Sequence, residues 1–226
     1  MRVGGCTFAF GPKPREEACR SLKELGFRIV DLGVCLGNTQ INPFDASENP
    51  GAVADTVNRC LDDLGLERGE CFVLDFGQPI NHPDEGVRHV ARRRFKPLAR
   101  FPRLAGCPSI MLVPGIVHES VGKEQSYELA AQELRILCQT ADDEGVLLNI
   151  EPCEPSVVQD PKDAFRLCED VPRVCRAQRQ RFHPREGQGN SGGAAQECAA
   201  GNGLPPGKGF ASFHGFIFSI SLRWMH

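Results

Sequence analysis

The chain has 226 residues, of which 41% are hydrophobic and 24% are charged, and its formal net charge is −3 at pH 7. This size is enough for one sizeable core, and the balanced charge excludes a strongly basic nucleic-acid binder. No apolar run reaches the ~18 residues of a membrane span, and the N-terminus lacks a signal-peptide pattern. We therefore expect a cytoplasmic protein that binds neither nucleic acid nor membranes.

Five strands are predicted in the first 174 residues, each followed by a loop and, in most cases, an amphipathic helix. The strands cover residues 3–10, 28–34, 71–77, 109–115 and 146–152. Each is rich in apolar residues without a clean alternation of polar ones. Strands of this composition are typical of parallel sheets whose two faces are both covered.

Start and stop signals predict the helices between these strands. Prolines and N-capping residues mark helix starts, and glycines mark helix ends. The helices are predicted over residues 14–25, 51–64, 125–143 and about 160–170. Segment 84–105 is less regular, and we expect Pro97 and Pro102 to break or kink it.

The alternation of strands and helices predicts parallel βα units, which form either an open doubly wound sheet or a closed barrel. No strand is followed by the glycine fingerprint G-x-G-x-x-G of dinucleotide-binding sheets. Polar residues instead collect at the C-terminal ends of strands, at Asp31, Asp75, Asn149 and Glu151. Barrels build their sites at that end. We therefore predict an α/β fold of the (β/α)8 TIM-barrel type, incomplete, with about five βα units.

After residue 174 the composition changes. Residues 1–174 carry 20 basic and 27 acidic residues, a net charge of −7, whereas residues 175–226 carry 6 and 2, a net charge of +4. Nine of the last 52 residues are glycine. We predict two regions: a partial barrel over residues 1–174 and a glycine-rich, largely disordered or irregular tail over residues 175–226.

The eleven cysteines are an odd number, and no two are spaced as C-x-x-C. That spacing is typical of zinc and redox sites. Several cysteines instead fall at apolar positions of predicted helices, namely Cys19, Cys60, Cys138 and Cys168. We interpret them as small buried hydrophobes.

Four segments carry a resemblance to a known family. The stretches GFRIVDLG, PINHPDEGVR, IMLVPG and LLNIEPCEPSVVQDPKDAFRLCEDVP follow one another along the chain. In this order they resemble the sugar phosphate isomerase/epimerase group of the xylose isomerase-like TIM barrels. The resemblance covers about residues 1–172, and the C-terminal part of the family pattern is missing or replaced.

The resemblance implies a divalent metal, Mn, Mg or Zn, at the mouth of the barrel. The family takes its ligands from strands five to eight: a glutamate, an aspartate, a histidine and a second glutamate. Glu151 stands at the first of these positions, so the resemblance implies that it is both metal ligand and catalytic carboxylate. No aspartate follows Asp170 in the sequence, so the second ligand has no counterpart.

Two histidines follow predicted strands at the same end. His82 comes after the third strand and His118 after the fourth, so we expect both to contact substrate. Each also has a simpler interpretation. The segment around His82 forms a turn in which Asp84 caps the next helix, and His118 is an exposed loop residue.

The function that the resemblance implies is that of a sugar or sugar phosphate isomerase or epimerase, which moves a proton next to a carbonyl with the help of a metal. Because ligands are missing, we expect the activity to be impaired. Two alternatives stay open. The chain is a truncated, non-catalytic fragment whose tail arises from a frame change or a retained intron, or it is a partial barrel that binds a partner or itself through the open sheet edge.

Overall fold

Five parallel strands in sequence order form the centre of the protein. The structure is a computed structural model, and it describes residues 2–36, 40–74, 77–172, 174 and 222–223. The strands are β1 (Arg2–Cys6), β2 (Ile29–Val34), β3 (Glu67–Val73), β4 (Ser109–Leu112) and β5 (Leu147–Ile150), and each pairs with the next in parallel. A short β6 (Leu222–Arg223) lies antiparallel to β1. The described strands therefore form an open arc, which confirms the prediction of an incomplete barrel.

In the described part of the chain, six α-helices connect or follow these strands. They are α1 (Arg15–Glu24), α2 (Pro43–Glu48), α3 (Pro50–Leu64), α4 (Glu85–Leu104), α5 (Gly122–Asp143) and α6 (Pro161–Asp170). The sequence analysis did not predict α2. Among the described residues, none of these helices has both the length and the apolar character that a membrane span requires.

Local side-chain chemistry fixes where three of the helices begin. Asn42, Asp84 and Asp160 stand at the N-caps of α2, α4 and α6, and the side chain of each accepts a hydrogen bond from a backbone N–H of the first turn. Such caps satisfy donors that have no partner inside the helix. The capping role that the sequence suggested for Asp84 is thus observed.

The two faces of the sheet differ in chemistry. On the outer face, apolar side chains pack against the helices in one buried core, and they include Val30, Leu32, Val34, Cys71, Val73, Ile110, Leu112, Leu148 and Ile150. Successive side chains of a strand point to opposite faces. The residues between them, Asp31, Gly33, Glu70, Phe72, Ser109, Met111 and Asn149, therefore lie on the inner face.

Helix α4 is continuous through Pro97 and Pro102, so these prolines do not break it, whereas the predicted kink stays a prediction. A proline inside a helix costs about 3 kcal/mol through the lost hydrogen bond and a clash with the preceding turn. The same helix buries Phe95, Leu98 and Phe101 completely. Burial of three large side chains, at about 1.5–3 kcal/mol for each, offsets a cost of about 6 kcal/mol for the two prolines.

Several strand boundaries differ from the prediction, and the differences in β1 and β3 are among the largest. β1 ends at Cys6, and residues 7–10 form a 3-10 helix in place of the predicted strand. The Thr7 hydroxyl accepts a hydrogen bond from the Gly33 N–H of β2 at 2.9 Å, so a side-chain oxygen serves as the acceptor where β1 ends. β3 begins at Glu67, four residues before the predicted start, so it includes Glu70.

The cysteines are mostly part of the core. Of the described cysteines, eight are free and six of these are buried, which agrees with their interpretation as small hydrophobes. Cys168 differs, because it takes part in a disulfide bond.

The predicted tail of residues 175–226 lies outside the described residues, apart from β6. Asp75, which the sequence placed among the polar residues at strand ends, also lies outside them.

We predict that Gly69→Ala destabilises the protein. A Cβ at Gly69 would lie 1.9 Å from Oδ1 of Asp31 and 2.8 Å from the carbonyl oxygen of Val30. Relief of such a clash in a packed interior costs about 1–3 kcal/mol. Urea denaturation would measure the loss in the free energy of unfolding.

Gly51→Ala is the matched control. Gly51 lies in the first turn of α3, and a Cβ there meets nothing within 4 Å. Alanine is preferred to glycine in helices by about 0.8–1 kcal/mol, so this variant should be slightly more stable than the wild type. Equal stability of the two variants would contradict the close packing at Gly69.

Candidate active site

Glu151 stands at the C-terminal end of β5, at the mouth of the arc. Its backbone N–H donates a hydrogen bond to the carbonyl oxygen of Leu112 at 2.9 Å, so it continues the pairing of β5 with β4. The side chain is half-buried, and its Oε2 is buried without a hydrogen-bond partner. A buried carboxylate oxygen without a donor is unusual in a folded protein and marks a place where a ligand or a proton can bind.

Below Glu151, a polar network crosses the inner face. The Asn149 Nδ2 donates to Oε1 of Glu70 at 3.2 Å, and the backbone N–H of Glu70 donates to Oδ1 of Asp31 at 2.6 Å. These three side chains are at most 6% exposed. The Asn149 Oδ1 has no hydrogen-bond partner. Asn149 in β5 and Glu151 just after it therefore present two acceptor oxygens without donors. The two residues are two positions apart and lie on the same face.

The charges of this network act on Glu151. Burial raises the pKa of the Glu151 carboxyl above its ordinary value, and the negative charge of Glu70 raises it further. Both effects disfavour the ionised form. A carboxyl group with a raised pKa can hold and release a proton closer to neutral pH, which is what a general acid or base needs.

Cys6 pairs in register with Asp31, so it lies on the inner face at the other end of the parallel strands. Burial raises the pKa of the Cys6 thiol to about 12, and the negative charges of Asp31 and Glu151 contribute to this shift. Cys6 lies on β1 and Glu151 follows β5, which are four strand spacings apart.

The structure brings His82 and His118 together. Their rings meet edge to face, with centroids 5.4 Å apart. His82 Nδ1 accepts a hydrogen bond from the Asp84 N–H at 3.0 Å, whereas His118 Nε2 is buried without a partner. Burial lowers the pKa of His118, and the positive charge of a protonated His82 lowers it further. Both effects favour the neutral form of His118.

Asn81 fixes the two loops that carry these histidines. It is fully buried, and its Nδ2 donates to the carbonyl oxygens of Ile116 and Ser126 at 2.7 and 2.9 Å. Its Oδ1 accepts from the Ile116 N–H at 3.1 Å. Gly115, with φ of +102°, leaves room for this side chain, since a Cβ there would lie 2.6 Å from Cγ of Asn81. In the sequence, Asn81 is simply part of the turn predicted around His82.

Arg88 also holds the loop after β3. Its Nη1 donates to the carbonyl oxygens of His82 and Pro83, and its other nitrogens pair with Glu85 and with the buried Glu133 of α5. A fully engaged guanidinium of this kind positions the loop.

Of the predicted site residues, the structure joins His82 with His118 and places Glu151 with Asn149 and Glu70. Glu70 was not predicted, because the strand was expected to begin at residue 71. In the sequence, Glu70 is one acidic residue before an apolar run, and this pattern is only weak evidence for a functional residue. Only the alternation of side chains along a correctly placed strand reveals that it points inward.

The described residues do not form a complete metal site. They contain no group of three or more His, Cys, Asp or Glu side chains that could hold a metal ion. Glu151 supplies one oxygen without a partner, and a single carboxylate fixes a cation weakly. We therefore derive no step of a reaction through a bound metal.

Comparison with known families agrees with this architecture. Residues 19–176 match the family model of the xylose isomerase-like TIM barrel. The chain belongs to this family. No curated protein is significantly similar to it in sequence.

Solved structures of similar fold include several sugar epimerases. D-psicose 3-epimerase from Clostridium cellulolyticum H10 superposes with a TM-score of 0.61 at 13% identity, covering 76% of this chain and 60% of that one. 3-Keto-D-glucoside 4-epimerase from E. coli gives a TM-score of 0.58 at 17% identity, covering 76% and 65%. The IolI protein, whose structure holds a zinc atom, gives 0.58 at 14% identity, covering 76% and 60%. At these identities the similarity shows the fold alone. The present chain spans about 60% of the length of D-psicose 3-epimerase and of the IolI protein.

We predict that Asn81→Ala destabilises the protein strongly, by about 2–4 kcal/mol. The substitution removes the side-chain partner of the buried Ser126 carbonyl oxygen and of the part-buried carbonyl oxygen and N–H of Ile116, and a buried group without a partner costs about 1–3 kcal/mol. Asn49→Ala is the control, since Asn49 is exposed and its side chain makes no capping hydrogen bond. Thermal unfolding of the two variants would compare them. A similar small change in both would argue against the bridging role of Asn81.

We predict that Glu151→Gln gains stability over the wild type as pH rises. The pKa of Glu151 is higher in the folded protein than the ordinary value of 4.5. Between these two pKa values the folded state binds more protons than the unfolded chain, so the wild-type free energy of unfolding falls as pH rises through this range. Glutamine does not titrate, so the free energy of unfolding of the variant does not fall for this reason.

Urea denaturation at pH 4 and pH 7 would test the pH dependence. The free energy of unfolding of Glu151→Gln, relative to that of the wild type, should be higher at pH 7 than at pH 4. Glu128→Gln, on the exposed side of α5, should show little pH-dependent difference. A Glu151→Gln difference that does not vary between these pH values would contradict the raised pKa.

Proposed function

We propose that this chain is a sugar isomerase/epimerase-like protein in which Glu151 carries the proton transfer and in which turnover is impaired. The observation that carries the proposal is the half-buried Glu151 carboxyl, with Oε2 unpartnered, at the mouth of a barrel of this family. A carboxyl with a raised pKa can remove a proton from the carbon next to a sugar carbonyl and return it. That transfer is the chemical core of both isomerisation and epimerisation.

The proposed ligand is a small sugar or sugar phosphate. The similar structures include D-psicose 3-epimerase with D-tagatose and L-ribulose 3-epimerase. His82 and His118 are proposed as substrate-binding residues, because both stand on loops after strands and face each other at 5.4 Å. The neutral His118 can accept a hydrogen bond from a sugar hydroxyl through its buried, unpartnered Nε2.

We propose that the catalytic activity is impaired, because only one of the described residues, Glu151, is proposed as a ligand for a divalent metal. Glu151 would be that ligand for Mn, Mg or Zn, and the metal would supply polarisation of the sugar oxygens when bound. The remaining ligands of the family pattern have no counterpart in the described part of the chain. The proposal places the protein in the cytoplasm.

The proposal is tested with the full chain and D-psicose in the presence of Mn²⁺, with product sugars separated by chromatography. We expect slow conversion that falls by about 10²-fold or more in Glu151→Gln, since removal of a general acid or base typically costs 10²–10⁴-fold. Glu128→Gln should convert the sugar at the wild-type rate. Conversion that Glu151→Gln leaves unchanged would contradict the assignment of Glu151.

A second candidate function follows from the open arc. Strand β5 is the last strand in the sheet order, and strands at an edge can pair with another chain. In this candidate the protein is a truncated, non-catalytic partial barrel that associates with itself or a partner through that edge. Light scattering separates the two: a stable dimer without sugar conversion favours association, whereas a monomer that converts sugar favours catalysis.

A further inference from the structure

Helix α4 concentrates positive charge within the acidic region of residues 1–174. The helix contains seven Lys or Arg and one acidic residue, a net charge of +6. The other residues of this region include 13 basic and 26 acidic ones, a net charge of −13. The overall charge of −3 therefore conceals an uneven distribution, and the expectation that the chain binds no membrane takes only this total into account.

Four of these basic side chains form one line on the outer face of α4. Arg93, Lys96, Arg100 and Arg103 follow one another at intervals of three and four residues, and all four are exposed. Residues at these intervals are neighbours along one face of a helix. At 1.5 Å per residue, the line is ~15 Å long. We call these four residues the basic line.

Little of this charge is neutralised within the described part of the chain. Arg93, Lys96 and Arg103 have no carboxylate partner among the described residues. Arg100 does have one, because its Nε lies 3.2 Å from Oε1 of Glu144, but its side chain stays 57% exposed. Exposed ion pairs of this kind are weak. The basic line therefore presents its positive charge to the solvent.

Two apolar side chains are exposed beside the basic line. Val90 is 40% exposed and precedes Arg93 by three residues, whereas Leu104 is 42% exposed and follows Arg100 by four. Each therefore lies next to a cation on the helix surface. Cations with exposed apolar neighbours are suited to the surface of a bilayer, which offers anionic headgroups and hydrocarbon together.

We propose that the outer face of α4 docks on an anionic lipid surface. The cations of the basic line contact the headgroups, and Val90 and Leu104 contact the apolar part of the interface. Clusters of Lys and Arg along a helix attract anionic lipids at short range. The acidic remainder of residues 1–174 orients the molecule, since acidic faces are repelled by the same surface. The proposal does not rest on the sugar chemistry, because it uses no residue of the candidate active site.

The apolar side chains favour a lipid surface over nucleic acid. A phosphodiester backbone would contact the cations and leave Val90 and Leu104 without a role. Both aromatic side chains of α4, Phe95 and Phe101, are fully buried, so neither can stack on a base. A lipid surface requires only charge and exposed apolar groups, without a groove of matching shape.

The test mixes the full chain with vesicles of phosphatidylcholine that contain phosphatidylserine, or with vesicles of phosphatidylcholine alone, and measures the protein that sediments with them. We expect sedimentation with the anionic vesicles, little with the neutral ones, and a steep decrease as NaCl is added, because salt screens exposed charges. Arg93→Gln combined with Lys96→Gln should weaken binding about 25-fold, since each Lys or Arg near an anionic surface contributes roughly fivefold.

Arg20→Gln combined with Lys23→Gln is the matched control. Arg20 and Lys23 are also exposed and three residues apart, but they lie on α1. This variant changes the net charge by the same amount and should bind the anionic vesicles as the wild type does. Equal losses in the two double variants would overturn the proposal, because the net charge and not α4 would then decide binding.

Three further results would also overturn it. The first is a folded wild type, as shown by circular dichroism, that does not sediment with the anionic vesicles. The second is sedimentation that neither double variant weakens, which would assign the binding to another region, such as residues 175–226 with their net charge of +4. The third is binding to duplex DNA without binding to the vesicles, which would assign the basic line to nucleic acid.

Discussion

The alternation of side chains along the parallel strands is the constraint on which the rest of this protein depends. Leu32, Ile110 and Leu148 must be buried against the helices, because each belongs to the one continuous core of the described residues. Their neighbours Asp31 and Asn149 then have to point to the inner face. A slip of one residue would expose the apolar set and bury the polar set among the helices, so the core itself fixes where the polar groups lie.

The inner face is not optimised for stability. It buries two carboxylates and an amide within one network, and it leaves Oδ1 of Asn149 and Oε2 of Glu151 without donors. Buried acceptors without partners lower the stability of a fold. Such arrangements are typical of sites where a ligand or a proton completes the network. The same features that disfavour folding at this face are those that support a chemical role for Glu151.

The two layers of the protein carry separate properties. The mouth presents the imidazoles of His82 and His118 on loops held by Asn81 and Arg88, whereas the helical layer holds the apolar core.

The sequence by itself determined the order of strands and helices, the caps at Asp84 and Asp160, and the place of Glu151 at a strand end, because these depend on neighbouring residues and on period. Tertiary structure alone decided the rest. The continuity of α4 through Pro97 and Pro102 depends on the burial of its apolar face, and the 3-10 turn after β1 depends on a bond from Gly33, which is distant in sequence. Glu70 and Asn81 became functional candidates for the same reason: their partners lie 35 or more residues away along the chain.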